Sequence, residues 1–254
     1  MPWELEIVFL FVVGFIGGIW NAIAGGATLF TFPALLYVGL PPIVANATNF
    51  MALLPANAAA LPACIDELKG ICRRKILIMI LASSIGAVMG SYLLILSGNA
   101  LFTSIIPYLI LAATALFAFS NQIHQLLSSG ALGKFAATPA MPIALLAIFS
   151  IYGGYFGAGL GIIILSIVQI MGYSEFVVAN SLKNLIATIF SCFSVAVFGF
   201  SGVIAFEEVG IMMVASTFGG YTGGVLSKKV NSHYMKIFVT CFGLCLGLYY
   251  LFAL

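Results

Sequence analysis

Asn21-Ala22-Ile23-Ala24-Gly25-Gly26-Ala27-Thr28 interrupts an apolar stretch that runs from Leu5 to Leu40. One straight helix over that stretch would be roughly 54 Å long at 1.5 Å per residue, against a bilayer hydrocarbon core of about 30 Å. The stretch must break, and two glycines between polar Asn21 and Thr28 mark the place. The piece that follows, Leu29 to Gly39, is too short to span unaided, and Pro41-Pro42 closes it. A second overlong stretch, Pro142 to Tyr173, repeats the pattern, with its break at Gly153-Gly154-Tyr155-Phe156-Gly157-Ala158-Gly159-Leu160-Gly161.

Composition puts both stretches in a membrane. The chain has 254 residues, 63% hydrophobic and 6% charged, with a mean hydropathy of +1.22. A soluble domain carries about 25% charged residues on its surface, so the lipid bilayer is the expected solvent. A formal net charge of +2 gives no reason to expect a nucleic-acid partner. The five cysteines form no CxxC pair and no zinc spacing with His124 or His233. Cys241 and Cys245 lie four apart on one helix face and read as packing residues. No metal and no cofactor are expected. No Lys or Arg precedes Lys69, so the basic region of a cleavable leader is missing and the first apolar stretch is expected to stay in the protein.

Further spans are expected at Ile43–Ala63, Ile76–Leu96, Leu101–Ser120, Phe176–Phe200, Val209–Leu226 and Tyr234–Leu254, with Glu207-Glu208 in a loop. The two halves keep register. Gly26 and Gly39 lie 133 residues before Gly159 and Gly172; Ala45-Asn46, Gly86 and Gly90 lie 134 before Ala179-Asn180, Gly220 and Gly224. The glycine pairs on the fourth elements read as close helix contacts. Lys69, Arg73, Arg74 and Lys75 fill a loop whose counterpart holds only Glu207 and Glu208; the second half's Lys228, Lys229 and Lys236 fall one loop later. Basic loops stay inside, so equivalent loops face opposite sides. The expected fold is an all-α integral membrane protein of two inverted-topology repeats, each opening with a broken helix, with about 8–10 transmembrane elements. Residues 1–120 form the first repeat, 121–141 a polar linker with His124 and Lys134, and 142–254 the second repeat.

Matching breaks in inverted halves point to a midplane substrate site. Freed backbone groups and a half-helix N-terminus favour an anion there. The candidate residues at the breaks are Asn21, Gly25, Gly26, Thr28, Gly157, Gly159 and Gly161. The helix after each break adds Asn46 and Asn49 in the first half, and Asn180, Lys183 and Asn184 in the second. Lys183 is the one basic residue well inside a span. A central lysine costs about 2.5–3.5 kcal/mol to insert, which either an anionic substrate or snorkelling to an interface would offset.

The run Gly14-Phe15-Ile16-Gly17-Gly18, Ala24-Gly25-Gly26-Ala27-Thr28, Pro33 and Gly39-Leu40-Pro41 into Ala45-Asn46-Ala47-Thr48-Asn49 resembles the TauE/SafE sulfite exporter family. Gly153-Gly154-Tyr155-Phe156-Gly157-Ala158-Gly159 through Ala179-Asn180 resembles that family's second repeat. The resemblance implies a secondary transporter, an exporter or importer of a small sulfur-containing anion such as sulfite or an organosulfonate, in the inner cell membrane as a multi-pass protein. A homo-oligomer is left open. The alternatives are a channel or a non-transporting scaffold. An intramembrane enzyme is disfavoured, since Asp66 is the one aspartate and lies in a loop, and neither HExxH nor GxSxG occurs.

The charge pattern predicts that both termini are extracytoplasmic while residues 65–75 and 227–236 are cytoplasmic. Paired reporter fusions at Leu254 and near Lys229 should give opposite readings. A cytoplasmic C-terminus would contradict the inversion.

Overall fold

The computed structural model describes residues 2–23, 25–63, 65–119, 122, 140–227 and 232–253. Among them there are ten helices and no strands. The first half holds α1 (Trp3–Ile23), α2 (Thr28–Tyr37), α3 (Pro42–Ala60), the short α4 (Ile65–Leu68) and α5 (Arg73–Ala118). The second half holds α6 (Ala140–Tyr155), α7 (Leu160–Ile170), α8 (Phe176–Phe200), α9 (Phe206–Leu226) and α10 (Ser232–Ala253). Four of these are long and apolar enough to cross a membrane: Trp3–Ile23, Arg73–Leu116, Phe176–Phe200 and Phe206–Leu226. The expected all-α membrane architecture is therefore the one observed. Cys64, His124, Lys134, Lys228, Lys229 and most of the expected 121–141 linker lie outside the described residues, as do the side chains of His233 and Lys236.

Helix α5 is two arms, as the Ser97–Ala100 joint predicts. Gly98 at its middle has φ 72° and ψ 162°, a conformation outside any helix. In a straight helix Ser91 and Ala113 would stand roughly 33 Å apart. Yet a Cβ on Gly154 would lie 2.9 Å from the Ser91 nitrogen, and one on Gly159, five residues on, would lie 3.4 Å from the Ala113 oxygen. The chain therefore folds back at Gly98.

The short helices α2 and α7 end in the same way. Gly39 has φ 102° and Gly172 has φ 99°. Gly39 N–H donates to Leu36 O (3.0 Å) and Leu40 N–H to Leu35 O (3.2 Å). Gly172 and Tyr173 repeat this on Gln169 O and Val168 O, at 3.0 and 3.3 Å. These are Schellman ends, in which a left-handed residue lets the last carbonyls be met.

Glycines set the main helix pairs. A Cβ on Gly18 would overlap the Ser216 carbonyl, and one on Gly219 the Phe15 carbonyl, so α1 and α9 meet backbone to backbone. Gly90 stands against the Ile151 carbonyl and Gly154 against the Ala87 carbonyl, which does the same for α5 and α6. In hydrocarbon such contacts supply van der Waals energy that burial between equally apolar surfaces cannot. Each pair joins the opening helix of one half to a later helix of the other, α1 to α9 and α6 to α5. The corresponding helices α3 and α8 run antiparallel. Thr48 near the start of α3 accepts from Ala205 N beyond the end of α8 (3.0 Å). Asn57 near the end of α3 and Lys183 early in α8 both bond Asn21. An inverted arrangement of the halves is compatible with these directions.

Two local expectations are corrected. Cys241 and Cys245 are exposed and do not pack in the interior. Glu207 and Glu208 sit in the first turn of α9 and not in a loop, where carboxylates complement the positive helix end. In the basic loop, Lys69 bonds Asp66 at 2.6 Å, and that partner holds its ammonium above the usual lysine value.

A methyl group at Gly90 would have only backbone atoms to displace, whereas one at helical Gly210 meets nothing within 4 Å. Gly90→Ala is expected to cost about 1–3 kcal/mol through overpacking, and Gly210→Ala to be neutral or stabilising. Thermal unfolding of both variants in detergent should show a clear loss for the first alone.

Candidate substrate site

Each broken helix stops because its glycines leave helical space. Gly25 (φ 73°) and Gly26 (φ 86°) follow α1, and Gly157 (φ 79°) and Gly159 (φ 75°) follow α6. Left-handed backbone of this kind suits glycine. The breaks are narrower than the glycine-rich runs, since Gly153 and Gly154 are still helical. They also touch: a Cβ on Gly25 would lie 2.7 Å from Gly161 Cα.

A helix end leaves carbonyls without partners, and a buried one must find donors. Gly25 N–H of the same half meets Trp20 O and Asn21 O at 3.2 and 3.1 Å, and side chains of the opposite half supply further donors. Asn180 Nδ2 and Asn184 Nδ2 each donate to Ala22 O at 3.3 Å. Lys183 Nζ donates to Asn21 O at 3.0 Å and Ala22 O at 3.2 Å. Reciprocally, Asn46 Nδ2 donates to Tyr155 O, at the end of α6, at 3.2 Å. Asn46 and Asn180 lie 134 apart, and Ala22 and Tyr155 lie 133 apart. The two halves thus cap each other's broken helices with corresponding asparagines.

For Lys183 it is the snorkelling alternative that is corrected. It does not snorkel, because it is 1% exposed. Nor does it need an anion as its first partner, because the negative end of α1 supplies one. Its ammonium still borders a cavity of about 50 Å³ between the two breaks. One water requires roughly 10–15 Å³ on this scale, so there is room for one small solute. The first half contributes Asn21, Gly25, Gly26, Thr28, Asn49 and Asn57 to the wall, and the second Gly157, Gly161, Lys183 and Ser191. Phe50, Leu53, Ala187 and Phe190 complete it on the apolar side, with the Phe50 and Phe190 rings 6.2 Å apart.

Corresponding positions meet across this space: Thr28 and Gly161, Asn49 and Lys183, Leu53 and Ala187, Asn57 and Ser191. Asn49 is fixed in place. Thr31 Oγ1 donates to its Oδ1 at 2.5 Å, and its Nδ2 donates to Thr28 Oγ1 at 3.1 Å. Asn21 Nδ2 donates to Asn57 Oδ1 at 3.1 Å.

Of the residues expected at the site, Asn21, Gly25, Gly26, Thr28, Asn49, Gly157, Gly161 and Lys183 line the cavity. Asn46, Asn180 and Asn184 instead hold helix ends, and Gly159 lies against Ala113. Sequence reading missed Asn57 and Ser191. Their signal was present: they are a polar pair at the same 134 offset, two turns beyond Asn49 and Lys183.

The sequence itself has counterparts among known proteins. The family model "Sulfite exporter TauE/SafE" matches residues 10–250. The chain belongs to the TauE/SafE family. A "Probable membrane transporter protein" of Haemophilus influenzae is 31% identical to it over 225 residues, covering 85% of this chain and 83% of the relative. A "Probable membrane transporter protein ORF9" of Sinorhizobium sp is 30% identical over 156 residues, covering 61% and 58%. This TauE/SafE protein is a membrane transporter and not an enzyme.

The caps are unequal in number of donors. Ala22 O would keep Lys183 and Asn184 if Asn180 were lost, whereas Asn46 is the side chain found on Tyr155 O. Asn46→Ala is therefore expected to destabilise this TauE/SafE protein by about 1–3 kcal/mol, the cost of stranding a buried polar group. Asn180→Ala should cost measurably less. Equal shifts of the unfolding midpoint would contradict the capping assignment.

Proposed function

We propose that this protein is a multi-pass secondary transporter of the inner cell membrane that exports a small sulfur-containing anion, such as sulfite or an organosulfonate. Residues 1–120 and 142–254 act as inverted repeats that rock about the cavity between their breaks, exposing it to each side in turn. The observation that carries this reading is Lys183, a buried ammonium at the wall of a cavity that both halves build. Two half-helix N-termini, at Thr28 and Leu160, begin at the same cavity and favour negative charge there. Asn49, Asn57 and Ser191 add hydrogen-bonding groups suited to the oxygens of an oxyanion. The two relatives, both named as probable membrane transporters, support the same reading.

Lys183→Met should lower affinity for the transported anion by roughly 10- to 150-fold, corresponding to about 1.5–3 kcal/mol for a hydrogen bond to a charged group. Folding should change little, since Asn180 and Asn184 still hold Ala22 O and a costly buried charge is removed. Lys183→Arg should rescue only in part, because the guanidinium is larger and planar. The measurement is sulfite flux and binding with the protein reconstituted in liposomes. An affinity within threefold of wild type for Lys183→Met would remove the lysine from the site.

A further inference from the structure

Arg73, Arg74 and Lys75 are consecutive exposed cations on the first turn of α5, where the membrane-crossing segment Arg73–Leu116 begins. We infer that they form a docking site for an anionic phospholipid of the adjoining leaflet. Arg74 holds the headgroup phosphate, and an acyl chain lies along the helix below it.

Helix geometry puts headgroup and chain on one line. Successive residues turn about 100° around the axis, so Leu77, Leu81, Ile85 and Val88 all lie within about 60° of the direction of Arg74. All four are large, apolar and exposed. Met79, Gly86 and Gly90 lie about 120–160° from that direction, where Met79 is buried and the two glycines meet α6. The apolar stripe therefore faces lipid and has a guanidinium at its head. A helical side chain leans toward the N-terminus, which takes Arg74 away from the hydrocarbon and into the headgroup layer. Arg73 and Lys75 stand about 100° to either side of it, so three cations surround the top of the stripe.

Charge complementarity selects the lipid. Residues 65–75 carry Lys69, Arg73, Arg74 and Lys75 against Asp66 and Glu67, and Lys69 is bonded to Asp66. Arg73, Arg74 and Lys75 have no ion pair among the described residues. A guanidinium takes a phosphate through two parallel N–H bonds, and each basic residue near an anionic membrane surface adds to the attraction. A zwitterionic headgroup brings its own cation and offers these residues no net charge.

The test titrates dioctanoyl phosphatidylglycerol and dioctanoyl phosphatidylcholine, which share their chains, into the full chain purified in a neutral detergent. Each dissociation constant is read from the rise of the unfolding midpoint. Wild type should bind the anionic lipid at least about tenfold more tightly than the zwitterionic one. Arg73→Gln combined with Arg74→Gln should bring the two within about threefold, since exposed glutamines keep helix propensity and carry no charge. Arg74→Lys leaves the charge of the loop intact and should still weaken anionic binding by about threefold or more, because an ammonium lacks the paired donors. Equal affinity for both lipids in wild type would overturn the inference, as would a tenfold preference that survives the double substitution. An unchanged affinity in Arg74→Lys would overturn the role given to Arg74. Inorganic phosphate at matched ionic strength should not displace the anionic lipid. Displacement that is lost with the arginines would make this a free-phosphate site and overturn the lipid assignment.

Discussion

A helix that stops inside a membrane protein leaves carbonyl groups that neither water nor lipid can satisfy. Everything near the cavity follows from how α1 and α6 meet this requirement. Each end is capped by an asparagine from the third element of the other half, Asn180 on Ala22 and Asn46 on Tyr155. A cap drawn from the same half would add nothing to the hold between the halves that the α1–α9 and α5–α6 contacts already provide. The exchanged caps hold them together where their backbones already touch, at Gly25 and Gly161. The cavity is the space left between two helix ends that each half holds for the other.

Lys183 adds a cation to one of these caps and not to its counterpart. At the end of α1 it does what a basic residue does near any helix C-terminus, bonding the last carbonyls and balancing their partial charge. Because the same end borders the cavity, its charge serves the wall as well. One residue thereby touches both a helix end and the wall of the site.

Much of the architecture was legible because bilayer thickness makes helix length informative. An apolar run too long for one crossing had to break, and its glycines marked the break. The 133–134 offset was legible because the same backbone conformations recur, as at Gly39 and Gly172, where both short helices end in the same motif. Tertiary partners were harder to read. Nothing local to Asn46 or Lys183 says that their partners are carbonyls 109 and 161 residues away or more. The sequence presents Lys183 as a charge seeking an opposite charge, whereas a helix end has none to display in one-letter code. Asn57 and Ser191 escaped for a different reason: singly they are ordinary polar residues in a span, and only the offset makes them a pair. Cys241 and Cys245 share a face, but periodicity cannot tell an exposed apolar face from one turned inward.

The reach of the caps along the chain has a consequence for biogenesis. Ala22 and its donor Asn180 are 158 residues apart. A ribosome working at about 5–20 residues per second needs roughly 8–30 s to make the intervening chain. For that interval α1 is in place while the groups that will cap it do not yet exist. The first half must wait with an open helix end, sheltered by whatever water or insertion machinery surrounds the nascent protein. Its completion is therefore timed by translation of the second half, and a chain truncated between the two would be a half-molecule with a helix end it cannot cap.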